Sequence, residues 1–131
     1  MKNYDKDPRL YLAMISDRIR RLEFYTSGGK KVFLSDQMIQ DAVMHNLEII
    51  GETIKLIPTE YREQHPELPW RSMAALRDIL IYKYNSIELP EIWQVMEIEL
   101  PPVKAAIKNL IPSLVQLEEE FAGEPAENKE G

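Results

Sequence analysis

The stretch Asp36-Gln-Met-Ile39-Gln-Asp-Ala-Val43-Met-His-Asn-Leu47-Glu-Ile-Ile50-Gly-Glu-Thr-Ile54-Lys-Leu-Ile57 places apolar residues three or four positions apart along its whole length. That spacing returns side chains to one face of an α-helix and does not fit the alternation of a half-buried strand. A long helix is therefore expected, with Ser35 as its cap. Towards the amino terminus, Gly28-Gly29 is read as the end of an earlier helix covering residues 8 to 25. Asp7-Pro8 starts that helix: aspartate can accept orphan backbone N–H groups, and proline at the first helical position loses no needed donor. Leu12, Ile15, Ile19 and Leu22 form its stripe, with Arg18 and Arg21 elsewhere on the wheel.

Towards the carboxyl terminus, Pro58 to Pro69 holds three prolines. It reads as a short helical turn capped by Thr59, then a loop through His65-Pro-Glu-Leu-Pro69. A further helix is predicted from Trp70 to about Tyr82. Pro90 opens another, Pro101-Pro102 is expected to interrupt or restart it, and a last helix carries Val103, Ile107, Leu110, Leu114, Leu117 and Phe121. With no strand-like alternation and no internal repeat, the reading is all-α, an up-and-down bundle of four to five helices.

A chain of 131 residues suits one domain, read here as residues 1–122. Residues 123–131 offer no core residue and are expected to be an acidic disordered tail. There is no cysteine, which excludes disulfides and thiolate metal sites. No apolar run has the form of a signal peptide or the length of a membrane span, so a cytoplasmic protein away from membranes is expected. The formal charge of −6 is concentrated at one end: from Glu118 onward there are six Glu and one Lys, leaving residues 1–117 with 15 basic and 16 acidic groups. A nearly neutral body neither requires nor forbids RNA, whose surface would come from local clusters such as Arg18, Arg20 and Arg21, or Lys30 and Lys31.

Two histidines, no cysteine and no glycine-rich phosphate loop leave few enzyme classes. His45, inside a helix, and His65, in the proline-rich loop, read as surface and loop residues. Glu48 and Glu52 are spaced i, i+4 and share a helical face, but no Glu-x-x-His element accompanies them, so no metal or cofactor is assigned. Gly51 between them suggests close approach of another backbone. The segment Trp70-Arg-Ser-Met-Ala-Ala-Leu-Arg77-Asp78-Ile-Leu-Ile-Tyr82-Lys-Tyr84 stands out. Arg77 and Tyr84 are seven apart, about 20° from eclipsed on an ideal helix, and could together grip a phosphodiester. Tyr82 would point about 140° away from Arg77 and joins them only if the helix ends or distorts near it. The other reading is an interfacial arginine with aromatic packing.

The run from His65 to Tyr84, then Ile92-Trp93 and Leu100-Pro101, together with Leu47-Glu-Ile-Ile-Gly51-Glu52, resembles the HepT-like (DUF86) branch of the HEPN superfamily, over residues 8–117 or so. The resemblance implies a homodimeric helical ribonuclease toxin of a type VII-like toxin–antitoxin system, whose two R-x4-H-x-Y motifs line one cleft and cleave RNA without a metal. It gives Arg77 the task of binding the scissile phosphate. It also implies a minimal nucleotidyltransferase antitoxin that transfers AMP to the motif tyrosine, here Tyr84, with Asp78 and Glu52 as supporting residues. Tyr82 departs from the pattern, standing where the family has its general acid–base histidine; a phenol with a pKa near 10 is a poor base at neutral pH. Two functions follow from different classes: a ribonuclease with Tyr82 in an altered role, or a non-catalytic helical module that binds a nucleotidyltransferase and is its substrate.

Overall fold

The structure, a computed structural model, describes residues 7–82, 88–110, 116, 119–120 and 122, with residues 80–82 described by backbone alone. Among the described residues there are six helices and no strand: α1 (Pro8–Tyr25), α2 (Lys30–Ser35), α3 (Gln37–Lys55), α4 (Thr59–Gln64), α5 (Trp70–Tyr82) and α6 (Leu89–Leu110). The four long helices close a ring. Each packs on the next in chain order, and α6 returns to α1. The predicted stripes of α1 and α3 lie in the core, where Leu12, Ile15, Ile19 and Leu22 meet Val43, Leu47, Ile50 and Ile54, and so do Val103 and Ile107 of α6; Met73, Leu76 and Ile79 from α5 and Ile92 and Met96 from α6, which no predicted stripe included, complete it. None of the described helices is long and apolar enough to cross a membrane.

Both ends of α1 lie where expected, and other helix ends differ for local reasons. Asp7 caps α1 as predicted, its carboxylate accepting the Arg9 backbone N–H at 2.9 Å and the Arg9 guanidinium at 2.8 Å. The other end of α1 falls at Tyr25, as predicted, and the Thr26 hydroxyl and backbone N–H both donate to the Leu22 carbonyl. Gly29, at φ +93°, then turns the chain into α2. That six-residue helix is too short to show periodicity and was not predicted; it buries Phe33 completely against Trp93, ring centroids 5.4 Å apart.

Because α2 runs to Ser35, that hydroxyl donates back to the Lys31 carbonyl, and Asp36 caps α3 by accepting from the Ile39 N–H at 3.2 Å. Thr59 likewise lies inside the first turn of α4, with Pro58 at the cap position and no side-chain cap bond. Pro101-Pro102 does not interrupt α6, which runs unbroken from Leu89 to Leu110. The two missing N–H groups would have bonded the carbonyls of Glu97 and Ile98, and those residues are exposed, so water can satisfy them. Leu114, Leu117, Phe121 and the 123–131 tail lie outside the described residues.

The Arg9 hydrogen bond, acting against burial, holds the Asp7 carboxyl below its ordinary pKa. A depressed folded-state pKa adds stability that is complete above the unfolded value and is lost as pH falls through the folded one. Asp7→Ala should therefore lower stability by about 1 kcal/mol near neutrality, with the difference from the parent shrinking below about pH 4. Urea unfolding at several pH values measures this; a pH-independent difference would contradict the assignment.

Candidate functional site

The segment singled out in the sequence begins on a clamp. Trp70 opens α5 with its indole N–H donating to the His65 carbonyl at 2.8 Å, which ties the helix start to the proline-rich loop. The His65 ring lies against Tyr61, centroids 4.2 Å apart, and its Nδ1 meets Glu67 at 2.9 Å. That contact draws the exposed Glu67 carboxyl to a lower pKa, while burial, then the charges of Glu67 and Asp7, push the Tyr61 phenol up. The Arg62 guanidinium sits over the Trp70 ring at 5.2 Å, with its Nε buried and unpartnered. His65 thus serves packing at the foot of α5, and His45 is exposed on α3.

Above this clamp Met73, Leu76 and Ile79 are buried, which fixes the rotation of α5 against α3 and α6. Arg77 comes out on the flank with its side chain 35% exposed. Its described partner is the neighbouring Asp78, at 3.5 Å, which is the limit of a hydrogen bond, and among the described residues most of its donors have no acceptor. A guanidinium rooted in a packed helix, yet weakly paired, can take an anionic oxygen. The backbone of α5 remains helical to Tyr82, whose side chain is outside the described set, as is Tyr84 altogether. Of the predicted motif, the structure therefore places Arg77 and Asp78 side by side.

Glu52 is exposed and pairs along its own helix with Lys55 at 3.6 Å, rather than with α5. Glu48 is half-buried, and no group of three or more potential metal ligands occurs among the described residues. The basic cluster proposed on α1 is divided: Asp17 takes Arg20 at 2.7 Å and Arg21 at 3.1 Å. Arg18 turns inward instead and donates to the Oδ1 of Asn46 on α3 at 3.1 Å. Asn46 was missed in the sequence; its signal was a polar residue at the edge of the apolar stripe, about 60° from Val43 on an ideal wheel. Ile79 is core, and Ile49 is half-buried. Ile81 and Ile111 lie outside the described side chains. A cavity of about 450 Å³ opens between α1 and α6, lined by Trp93, Met96, Leu100, Pro101 and the ion-paired Lys104 and Glu23. Neither Arg77 nor Asp78 borders it, so volume and chemistry do not coincide.

Residues 15–110 match the model of the family described as "Ribonuclease HepT-like". A Methanocaldococcus jannaschii protein named "Gamma-glutamylcyclotransferase and putative RNase" is 38% identical over 83% of this chain and 50% of its own length. A Thermococcus cleftensis protein named "Probable ribonuclease HepT" is 38% identical over 84% of the chain and 98% of its own. A Caldanaerobacter subterraneus subsp. tengcongensis protein named "Putative RNase" is 34% identical over 81% and 96%. The chain thus spans half of the first relative and nearly all of the other two. No solved structure matches the chain at a significant level.

The Trp70 clamp makes a prediction independent of chemistry. Trp70→Phe keeps the ring under Arg62 but removes the donor to His65, and should lower stability by about 1 kcal/mol. Denaturant unfolding measures it; an unchanged midpoint would show that the bond does not anchor α5.

Proposed function

The chain belongs to the ribonuclease HepT-like family, and on that premise we propose that it is the RNA-cleaving toxin subunit of a type VII-like toxin–antitoxin pair. The observation that carries the reading is Arg77: half-buried, fixed by Met73, Leu76 and Ile79, and held by no carboxylate closer than 3.5 Å among the described residues. Phosphoryl chemistry needs a preorganised cation at the position where charge develops, and Arg77 meets that need. In this reading two copies pair so that both segments from Arg77 to Tyr84 line one cleft, and cleavage proceeds without a metal. Arg77 binds the scissile phosphate, Asp78 beside it limits its rotation, and Tyr82 stands at the place of the general acid–base histidine. Tyr84 is the acceptor of AMP from a minimal nucleotidyltransferase antitoxin. A bulky anionic adduct there would close an RNA cleft by bulk and by charge repulsion.

Tyr82 supports a second reading as well, a helical binding module and substrate of the nucleotidyltransferase that cuts no RNA. The two diverge on Tyr82→His. Under the ribonuclease reading the variant should cleave single-stranded RNA at least about tenfold faster than the parent, since an acid–base group near neutral pKa contributes about 100-fold or more. Arg77→Ala in the same background should remove that activity. A Tyr82→His protein that binds its nucleotidyltransferase but leaves RNA intact would select the module instead. Peptide mass analysis after co-expression tests the acceptor: adenylylation on a residue other than Tyr84 would refute that assignment.

A further inference from the structure

The way Arg18 is held departs from that of every other arginine of α1. Arg9 is paired with Asp7 at 2.8 Å and also faces Glu120 at 3.5 Å, and Arg20 and Arg21 share Asp17. Arg18 makes no ion pair among the described residues. Its Nη1 donates across the helix interface to the side-chain oxygen of Asn46, which is 2% exposed. The amide orientation is fixed, because its own N–H₂ donates to the Ala42 carbonyl at 2.8 Å and leaves the oxygen for Arg18. Asp17 feels the charge of Arg18 as the least of its causes, after burial, the Arg20 hydrogen bond and the nearer fields of Arg21 and Arg20.

A carboxylate at position 46 would have neutralised the guanidinium; a neutral amide orients it and leaves its positive charge intact. Among the described residues, four of the five guanidinium N–H donors have no acceptor. A half-buried cation is less screened than one in open water, so it holds an anion more strongly than a freely moving surface arginine does.

Asn46, which holds Arg18, stands at a height along α3 similar to that of Arg77 along α5. Asn46 is nine residues before the end of α3 and Arg77 seven after the start of α5. At 1.5 Å per residue they stand about 13 and about 10 Å above the end where α4 joins the two helices. The single α3 helix packs on both α1 and α5, so it holds the two arginines on one rigid frame.

We propose that Arg18, oriented by Asn46, is a phosphate-binding residue that grips the backbone of a single-stranded RNA away from the scissile bond. The proposal rests on the RNA reading of Arg77. Phosphate contacts set register and affinity without reading bases, and each contact releases counterions, so its loss shows in the salt dependence of binding.

The test uses the full chain and a short, fluorescent, mixed-sequence oligoribonucleotide, with affinity measured against salt. Asn46→Asp places a carboxylate beside Arg18 with almost no change in shape. It should weaken binding about tenfold and lower the slope of log affinity against log salt by about 0.7, one phosphate contact on a single strand. Arg18→Met should do the same, whereas Arg18→Lys, which keeps the charge, should retain the slope. Thermal unfolding of each variant runs alongside, because Asn46→Asp also loses the bond to Ala42. Unchanged affinity and slope in both Asn46→Asp and Arg18→Met, with Arg77→Ala still weakening binding, would overturn this inference and leave the RNA reading standing. Failure of the parent chain and its Tyr82→His variant to bind the oligoribonucleotide would overturn both.

Discussion

One face of α3 carries Val43, Leu47, Ile50 and Ile54, and two other helices are packed on it, α1 from one side and α5 from the other. Taking each such side chain out of water contributes about 1.5–3 kcal/mol before the conformational entropy of ordering the chain is counted. That shared face sets where everything else goes. It fixes the rotation of α5, so that Arg77 emerges beside Leu76 half-exposed. It fixes the rotation of α1, so that Arg18 reaches Asn46 while Arg20 and Arg21 stay with Asp17. Neither arginine is positioned by charge. Both are placed by apolar burial on the same helix, and charge then decides what each can hold.

The contrast between paired and unpaired arginines runs through the whole molecule. Arg9 is used to finish a helix start, Arg62 sits over Trp70, and Arg20 and Arg21 are spent on one carboxylate. Arg77 and Arg18 differ in having no carboxylate closer than 3.5 Å among the described residues while each is held by a neighbour, Asp78 and Asn46. A nearly neutral body can therefore still present localised positive charge, because sign and sum matter less than which carboxylates stand within reach.

What could be read from the sequence follows the range of the forces involved. The stripes of α1 and α3 were legible because periodicity over five turns is a strong pattern, and Asp7-Pro8 was legible because a cap acts within three residues. The short helix α2 was not, since six residues make less than two turns, and its presence moved the α3 cap from Ser35 to Asp36. The double proline misled because its cost depends on whether the orphaned carbonyls meet water, which is a property of the folded surface. At the site, the segment from Arg77 to Tyr84 was recognisable by resemblance, while the bond between Arg18 and Asn46 joins residues 28 apart and exists only once the helices pack. Glu52 shows the reverse: a helical spacing that looked like shared chemistry ends in an exposed pair with Lys55.

The unbroken α6 has a consequence for how the bundle opens. At Pro101-Pro102 two consecutive rungs of its hydrogen-bond ladder are missing, which thins the backbone link between its two halves. What retains the second is the burial of Val103 and Ile107 and the tie from Lys104 to Glu23 of α1. Trp93 in its first half packs on Phe33, and Lys104 in its second half is tied to Glu23 near the end of α1, so the prolines lie between two separate anchorages and mark the place where α6 yields first if it opens locally.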